Sequence, residues 1–418
     1  MNIFIHSLAA LLFAVALVHT FSTKHFERLA RRGPAHAGLW RLLAEVEVVF
    51  GFWAAVLMLA MFAFTGRDET IGYLQSRDFT QPMFVFAIMV VACTRPVLQA
   101  AMVCVRAVAK VLPMPAQCSH FFLLLSLAPL LGSLITGPAA MTLAAFALRD
   151  RFFTGESSER LKYATLGALF VNISIGGVLT TFASPPVLMV AGTWGWDTGF
   201  MLANFGWKAI LAVLVNALGA TLLFRKELSR LPGEKILGEA ESAPAALVIA
   251  NLIFLLLLVV FAQFPVVFMG LFLLFLGVAQ AYERSMGALI LREGLLVACF
   301  LAGLVVLGGF QEWWLRPALL GMSSNAVYFG ATALTAVTDN AALTYLASLV
   351  QGLSADFKYA LVAGAVTGGG LTIIANAPNP AGIAILRGCF DEGSVNPFGL
   401  LIAALPPTII AGLAFGYL

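Results

Sequence analysis

The stretch Thr338-Asp339-Asn340-Ala341-Ala342-Leu343-Thr344 places a carboxylate inside one of the most apolar sequences a protein can have. Asp339 is flanked by long apolar runs, and no Lys or Arg lies near it in the sequence. A carboxylate at bilayer depth costs at least about 2.5–3.5 kcal/mol, so such a residue is normally kept for a function.

The same pattern occurs earlier in the chain, as Thr136-Gly137-Pro138-Ala139-Ala140-Met141-Thr142. A second pair of motifs follows, in which 176–186 (GGVLTTFASPP) aligns with 368–378 (GGGLTIIANAP) at a constant offset of 192 residues. Two ordered motifs repeated in each half of a membrane protein indicate an internal duplication. Apolar segments interrupted by Gly and Pro at matching places in two halves are the best sequence indication of a transporter's binding site.

Composition limits the chain to one class of protein. Of its 418 residues, 61% are hydrophobic and 11% are charged, and the mean hydropathy is +0.95. Soluble domains of this length do not have this composition. The sequence predicts an all-α polytopic membrane protein, since a β-barrel would alternate polar and apolar residues. The five cysteines lack metal-ligand or CxxC spacing, so they are expected to be small apolar residues in helices.

We predict a first repeat at 1–232, a cytoplasmic linker at 233–243 and a second repeat at 244–418. Each repeat has three spans, a re-entrant helical hairpin, a broken helix and a final span. In the first repeat these are spans 2–20, 43–65 and 82–110, hairpin 117–148, broken helix 162–191 and span 200–224. In the second they are spans 245–262, 265–282 and 289–309, hairpin 318–350, broken helix 356–387 and span 397–417. The total is about ten spans of ~20 residues plus two hairpins.

The charges in the loops predict the orientation. The loop after the first span is basic and carries Lys24, Arg28, Arg31, Arg32 and Arg41, with Glu27 as its only acid. By the positive-inside rule this loop is cytoplasmic, which puts the N-terminus in the periplasm. An odd number of spans separates the two halves, so the repeats are expected to be inverted.

The helices are expected to break between Ser174 and Pro186 and at the matching place in the second half, because Gly and Pro disfavour a continuous helix. The candidate hinge residues are Gly176, Gly177, Pro185, Pro186, Gly368, Gly369, Gly370 and Pro378. An interrupted helix exposes N–H groups, which attract anions, at one end and C=O groups, which coordinate cations, at the other.

Both hairpin tips and both breaks are expected to meet near the middle of the membrane. They bring together hydroxyl, amide and carboxylate oxygens, which are hard ligands that suit a small alkali cation. The candidate ion-binding residues are Thr136, Thr142, Asn172, Ser174, Thr180, Thr181, Ser184, Thr338, Asp339, Asn340, Thr344, Thr367, Thr372, Asn376 and Asn379. Asp339 is the expected Na⁺ ligand. Apolar surroundings favour a protonated carboxyl, so a proton and a cation compete for it, which is the minimal machinery of antiport.

Plainer interpretations of the same residues stay open. Asp339 can be a structural N-cap of the hairpin's second helix. The Gly pairs can be close helix-packing contacts. About half of the Ser and Thr side chains can simply bond back to their own helix.

The motifs resemble those of a sodium/proton antiporter family within the ion transporter superfamily, which also includes arsenite permeases and divalent-anion/sodium symporters. The resemblance rests on 338–344 and on 367–380 (TGGGLTIIANAPNP), and its plan of spans, hairpins and broken helices covers essentially the whole chain. It implies an elevator-type carrier of the bacterial inner membrane, with a moving transport domain and a homodimeric scaffold.

One departure from the superfamily's pattern concerns the first tip. Thr136-Gly137-Pro138 has neither acid nor amide where Asp339 and Asn340 stand in the second. We therefore expect an asymmetric site that is dominated by the second half and helped by Asn172 and Ser174.

The function we expect is exchange of Na⁺, or another monovalent cation, for protons, with small ions and the lipid bilayer as partners and with no cofactor or nucleic acid. The main alternative is Na⁺- or H⁺-coupled symport of a carboxylate or oxyanion. The lack of Lys, Arg or His near the motifs argues against a multiply charged anion. An ion channel is a third hypothesis. An enzyme is not expected, because the sequence has no HExxH, no GxSxG in a suitable context and no acid pair within one span.

Overall fold

The computed structural model describes residues 3–32, 36–153, 157–231 and 243–418, which form helices and turns with no strand among them. Apart from Ala243, the predicted linker at 233–243 lies outside the described residues. The first half contains α1 (Ile3–Arg32), α2 (Ala37–Ala44), α3 (Val46–Thr65), α4 (Arg67–Gln75), α5 (Thr80–Ala92), α6 (Arg95–Ala109), α7 (Ala116–Leu125), α8 (Leu127–Ile135), α9 (Gly137–Arg151), α10 (Glu159–Gly176), α11 (Pro185–Trp194), α12 (Thr198–Met201), α13 (Trp207–Leu223) and α14 (Arg225–Leu228).

The second half also has both long and interrupted helices. It contains α15 (Ala245–Val260), α16 (Pro265–Ala281), α17 (Glu283–Met286), α18 (Leu291–Gly308), α19 (Glu312–Leu320), α20 (Ser324–Thr335), α21 (Asn340–Ser348), α22 (Ala355–Gly368), α23 (Asn379–Leu386) and α24 (Pro397–Tyr417). Side chains cap the first helix of each interrupted pair: Ser158 Oγ accepts from Leu161 N–H and Ser354 Oγ from Phe357 N–H, each at 3.2 Å. Serine caps of this kind satisfy N–H groups that a helix cannot satisfy itself.

The described helices make this a polytopic membrane protein. Six stretches are long and apolar enough to cross a bilayer: Glu47–Thr65, Ala116–Ile135, Glu159–Leu179, Thr198–Leu223, Leu291–Gly308 and Pro397–Tyr417. A seventh is added if α5 and α6, which meet at a 66° bend, count as one span. Three further apolar helices, Phe4–Thr20, Ala245–Val260 and Pro265–Ala281, are shorter. The total of ten spans and the inverted repeats stay predictions.

Several helix boundaries differ from those expected. The helix of the first span continues to Arg32, since no Gly or Pro interrupts it before that point. The first arm of the hairpin expected at 117–148 divides into α7 and α8 at Ser126, and the two together are long enough to cross a bilayer. The second hairpin was expected from 318, but α19 ends at Leu320 and the arm begins at Ser324, where Ser323 Oγ caps it.

The helices pack in two groups. The first group contains α1, α3, α5, α15, α16 and α18, and the second contains α8–α11, α13 and α20–α24. Within the second group, elements of opposite halves are neighbours: α9 packs on α23, and α11 packs on α21. The groups touch where α5 meets α9 and α11 and where α18 meets α21. This arrangement brings both motifs of both halves to one place.

Candidate ion-binding site

The first tip, Thr136–Pro138, joins α8 to α9 through a strained residue. Thr136 has φ 73° and ψ 153°, and it is the one described residue other than Gly with a positive φ. This backbone conformation is normally adopted by Gly, and it costs another residue about 1–3 kcal/mol. The side chain is 2% exposed, and its Oγ1 has no hydrogen-bond partner in the described chain. Such strain persists where the surrounding structure imposes it, often at a ligand site.

The first break, Gly177–Ser184, is held to α8 by Ser133. Ser133 Oγ donates to Gly176 O at 2.7 Å and accepts from Leu179 N–H at 3.0 Å, while Thr180 Oγ1 donates to Ser133 O at 2.7 Å. Gly176 has no room for a side chain, because a Cβ would lie 2.7 Å from Pro129 O. Ser133 was not among the candidate residues, and nothing in its sequence neighbourhood distinguishes it.

The second tip, Thr338–Asn340, starts α21 with an acid. Asp339 is half-buried and caps the helix: its Oδ1 accepts from Ala341 N–H at 2.8 Å and from Ala342 N–H at 3.2 Å. Asn340 N–H donates to Ala375 O in the second break at 3.1 Å. The Asn340 side chain is 1% exposed, and neither its Oδ1 nor its Nδ2 bonds to any described residue.

The second break, Gly369–Pro378, turns around Asn379. Asn379 Nδ2 donates to Gly369 O at 2.9 Å and to Thr372 O at 2.8 Å, and Thr372 Oγ1 donates to Ala336 O at 2.8 Å. The oxygens Asn379 Oδ1 and Asn376 Oδ1 are buried without a partner among the described residues. The backbone of the break is therefore fixed, while two amide oxygens remain unused.

Direct contacts join the two halves at this point. Ser174, at the end of α10, donates to Val366 O of α22 at 2.6 Å. A Cβ on Gly369 would collide with Ser174 Oγ and lie 2.7 Å from Asn340 Nδ2. On the other side, a Cβ on Gly137 would lie 3.0 Å from the Pro378 ring. Both tips and both breaks thus lie together, as the sequence analysis expected.

Unpartnered polar atoms are concentrated here. Of the ten buried side-chain N and O atoms without a partner in the described part of the chain, five belong to Thr136, Asn340, Asn376 and Asn379. Burying such a group without a partner costs about 1–3 kcal/mol, and each case in a native protein calls for an explanation. Four of the five atoms are oxygens, which are typical ligands of hard cations.

Other candidate side chains are used locally. Four hydroxyls bond to a backbone oxygen four residues earlier or to a neighbouring tyrosine. Those of Thr142, Thr338 and Thr344 donate to Pro138 O, Leu334 O and Asn340 O. Thr367 Oγ1 lies 3.4 Å from Tyr328 Oη. Ser184 is buried at the start of α11, where its side chain makes no capping bond. These residues line the tips and breaks without a free buried oxygen.

The structure does not place the Asn172 side chain with this group. Its Nδ2 donates to Leu125 O at 2.7 Å, and its Oδ1 accepts from Asn216 Nδ2 at 2.8 Å. It therefore belongs to a polar network that joins α7, α10 and α13. The expectation that Asn172 helps the first half of the site is not supported by this geometry, because the side chain points to the opposite face of α10 from Ser174.

A family model described as "Putative Na+/H+ antiporter" matches residues 4–418. The chain belongs to this family. A search of curated proteins finds no match. Membership supports cation/proton antiport as the general activity and indicates a transporter rather than an enzyme, in agreement with the resemblance seen in the motifs.

Proposed function

We propose that the protein exchanges Na⁺, or another monovalent cation, for protons, and that Asp339 is the residue for which cation and proton compete. The observation that carries this proposal is a half-buried carboxylate beside a cluster of buried amide and hydroxyl oxygens that no described protein group satisfies. A dehydrated alkali cation needs such a set of oxygens. One net negative charge in the set suits one monovalent cation or one proton.

The capping bonds of Asp339 agree with a double role. Both helix N–H groups bond to Oδ1, and no described residue donates to Oδ2. Oδ1 can therefore hold the start of α21 in place while Oδ2 takes a proton or a cation. The Asp339 side chain then serves both as the N-cap of α21 and as the ion ligand.

The helix N-termini favour a cation over an anion. Pro occupies at least one of the first two positions of α9, α11 and α23, and Pro has no N–H to offer an anion. The first three N–H groups of α21 already bond to Ala375 O and to Asp339 Oδ1. Few backbone donors are left for the carboxylate or oxyanion of the alternative hypothesis.

The proposed transport cycle is of the elevator type. The second helix group, with the tips and breaks, would move against the first. A small cavity between the groups is lined mainly by apolar side chains, among them Met89 of α5, Val297 of α18, Phe182 and Ala377, together with Thr136. Apolar contacts of this kind can slide at low cost, whereas the hydrogen bond from Tyr345 Oη of α21 to Val305 O of α18, at 3.4 Å, would break during the movement. The homodimeric scaffold, the bacterial inner membrane and the periplasmic N-terminus belong to the same proposal and are drawn from the resemblance.

The decisive test separates the two jobs of Asp339. Asp339→Asn keeps an oxygen that can cap α21, since Asn is as good an N-cap as Asp, but removes the charge. We expect purified Asp339→Asn to melt within a few degrees of wild type and to show no Na⁺-induced proton release in proteoliposomes. Asp339→Ala is expected to lose transport and also about 1 kcal/mol of stability. Full exchange by Asp339→Asn, or Na⁺-dependent uptake of a labelled anion by wild type, would refute the proposal.

A further inference from the structure

A buried pair of asparagines ties α10 to its neighbours on the side that faces away from the candidate site. Asn216 of α13 donates from Nδ2 to Asn172 Oδ1 at 2.8 Å and to Pro407 O of α24 at 3.3 Å. Asn172 of α10 donates from Nδ2 to Leu125 O of α7 at 2.7 Å and to Val213 O of α13 at 3.4 Å. Both side chains are buried, and together they link four helices.

The other side of the same turn of α10 meets the second break. Successive residues of an α-helix are separated by about 100° around its axis, so Ser174 points about 200° away from Asn172. A Cβ on Gly369 would collide with Ser174 Oγ, and a Cβ on Gly370 would collide with the backbone of Val171. The end of α10 is therefore held between the asparagine pair on one side and the glycines of the second break on the other.

Stability alone does not account for Asn216. Its Oδ1 is buried and has no hydrogen-bond partner in the described part of the chain. An unsatisfied buried oxygen is a cost that a leucine of similar size at this position would avoid. Buried polar groups in an apolar interior can instead specify one arrangement of helices, because only that arrangement satisfies their donors. Here the Nδ2 of Asn216 reaches Asn172 Oδ1 only while α10 keeps its present rotation.

We propose that Asn216 is a positioning residue for ion binding: through Asn172 it fixes the rotation of α10, and with it the place of Ser174 beside the second break. This inference rests on the proposed function, which makes the oxygens around Asn340 part of the ion site. Neither Asn172 nor Asn216 is a ligand. Without their hydrogen bond the end of α10 can rotate away from Gly369, so the place where the two halves meet becomes less ordered. The ion is then held by a looser set of oxygens, and its affinity falls.

The first helix group contains a matched control. Asn251 of α15 is also buried and joins its helix to the bend between α5 and α6: its Oδ1 accepts from Thr94 Oγ1 at 3.2 Å, and its Nδ2 donates to Leu247 O at 2.8 Å. It lies outside the group that carries the tips and breaks. A purely structural role for both asparagines predicts that Asn216→Leu and Asn251→Leu change stability and leave the ion affinity unchanged. A positioning role predicts that only Asn216→Leu changes the affinity.

The experiment measures the KM for Na⁺ and the maximal rate of Na⁺-induced proton release in proteoliposomes of the full chain. Asn216→Leu is expected to raise KM at least about threefold, with a smaller change in the maximal rate. Asn172→Leu should do the same, and the double variant should not exceed either single one, because the two side chains act as a unit. Asn251→Leu should keep the wild-type KM.

Three results would overturn the proposal: a wild-type KM in Asn216→Leu, an equal rise in Asn251→Leu, or a double variant whose KM rises by the product of the two single rises. Asn216→Ala, which adds no bulk, is measured beside Asn216→Leu. It takes the place of the leucine variant if that variant does not fold.

Hydrogen exchange keeps this inference separable from the proposed function. The exchange of backbone amides in the second break is followed by mass spectrometry on the purified protein in detergent, where no transport takes place. Asn216→Leu is expected to speed this exchange at least about threefold, because the break loses its fixed contact with α10, whereas Asn251→Leu is expected to leave it unchanged. If wild type exchanges no cation for protons, the proposed function fails while these rates still test Asn216. If the second break exchanges at the wild-type rate in Asn216→Leu, the positioning role fails whatever the transport result.

Discussion

The two tips occupy matching positions in the two halves but are built differently. The first turns on Thr136, in a backbone conformation normally adopted by Gly, and has no ionisable side chain. The second turns on Asp339, with an ordinary φ of −69° and two capping bonds from the backbone. The first tip therefore stores backbone strain, whereas the second carries charge. Motifs that match in sequence therefore do not imply matching chemistry at the two tips.

Packing explains why the first tip has no acid. Gly137 stands where Asp339 stands in the second half, and a Cβ on Gly137 would already lie 3.0 Å from the Pro378 ring. A carboxylate at this position would displace the second break. The second half thus supplies the charge and most of the free oxygens, and the first half supplies close packing around them.

The largest effect is expected from the paired glycines Gly369 and Gly177, which share the 192-residue offset. The Cβ of Gly369→Ala would collide with Ser174 Oγ and crowd Asn340. We therefore expect the free energy of unfolding to fall by about 1–3 kcal/mol and transport to be lost. In Gly177→Ala the new Cβ would lie 3.4 Å from Ser184 Cβ, which is an ordinary contact. Stability and transport should therefore both stay near wild type. Melting temperature and proton release are measured on both. Equal tolerance of the two substitutions would contradict the tight contact between the halves.

The sequence predicted which segments form the candidate site, but not the hydrogen bonds and backbone conformations within it. The motif pairs at 136–142, 176–186, 338–344 and 368–378 were expected to meet, and the structure brings them together through contacts such as Ser174 Oγ to Val366 O and Gly137 against the Pro378 ring. The fate of Asn172 could not be predicted, since the face of α10 that points to α7 is decided by packing between distant segments. The positive φ of Thr136 could not be predicted either, because the residue type gives no indication of it.

An intermediate effect is expected at Asn340, where the first tip has Pro138. Asn340→Ala removes two unpartnered atoms but no bond to a described residue, and its backbone N–H still reaches Ala375 O. Stability should hold within about 0.5 kcal/mol, while Na⁺ or Li⁺ affinity, read from ligand-induced thermal shifts, should fall at least about tenfold. In contrast, Asn379→Ala loses two hydrogen bonds, so its free energy of unfolding should fall by about 1–3 kcal/mol. Unchanged affinity in Asn340→Ala would remove this side chain from the ion site.

The smallest effect concerns the backbone strain at Thr136. It is measured by comparing the stability of a Gly and an Ala variant at each tip. At Thr136, Gly should be more stable than Ala by about 1 kcal/mol, because only Gly adopts a φ of 73° without strain. At Thr338, whose φ is not positive, the order should reverse, since Gly loses more conformational freedom on folding than Ala. Chemical or thermal unfolding in detergent gives both differences. Gly and Ala both lack the hydroxyl and differ by one methyl group, so the difference between them at each tip reports the backbone conformation and not the lost hydroxyl. The same order at both tips would mean that the first tip is not strained, and that its lack of charge alone separates it from the second.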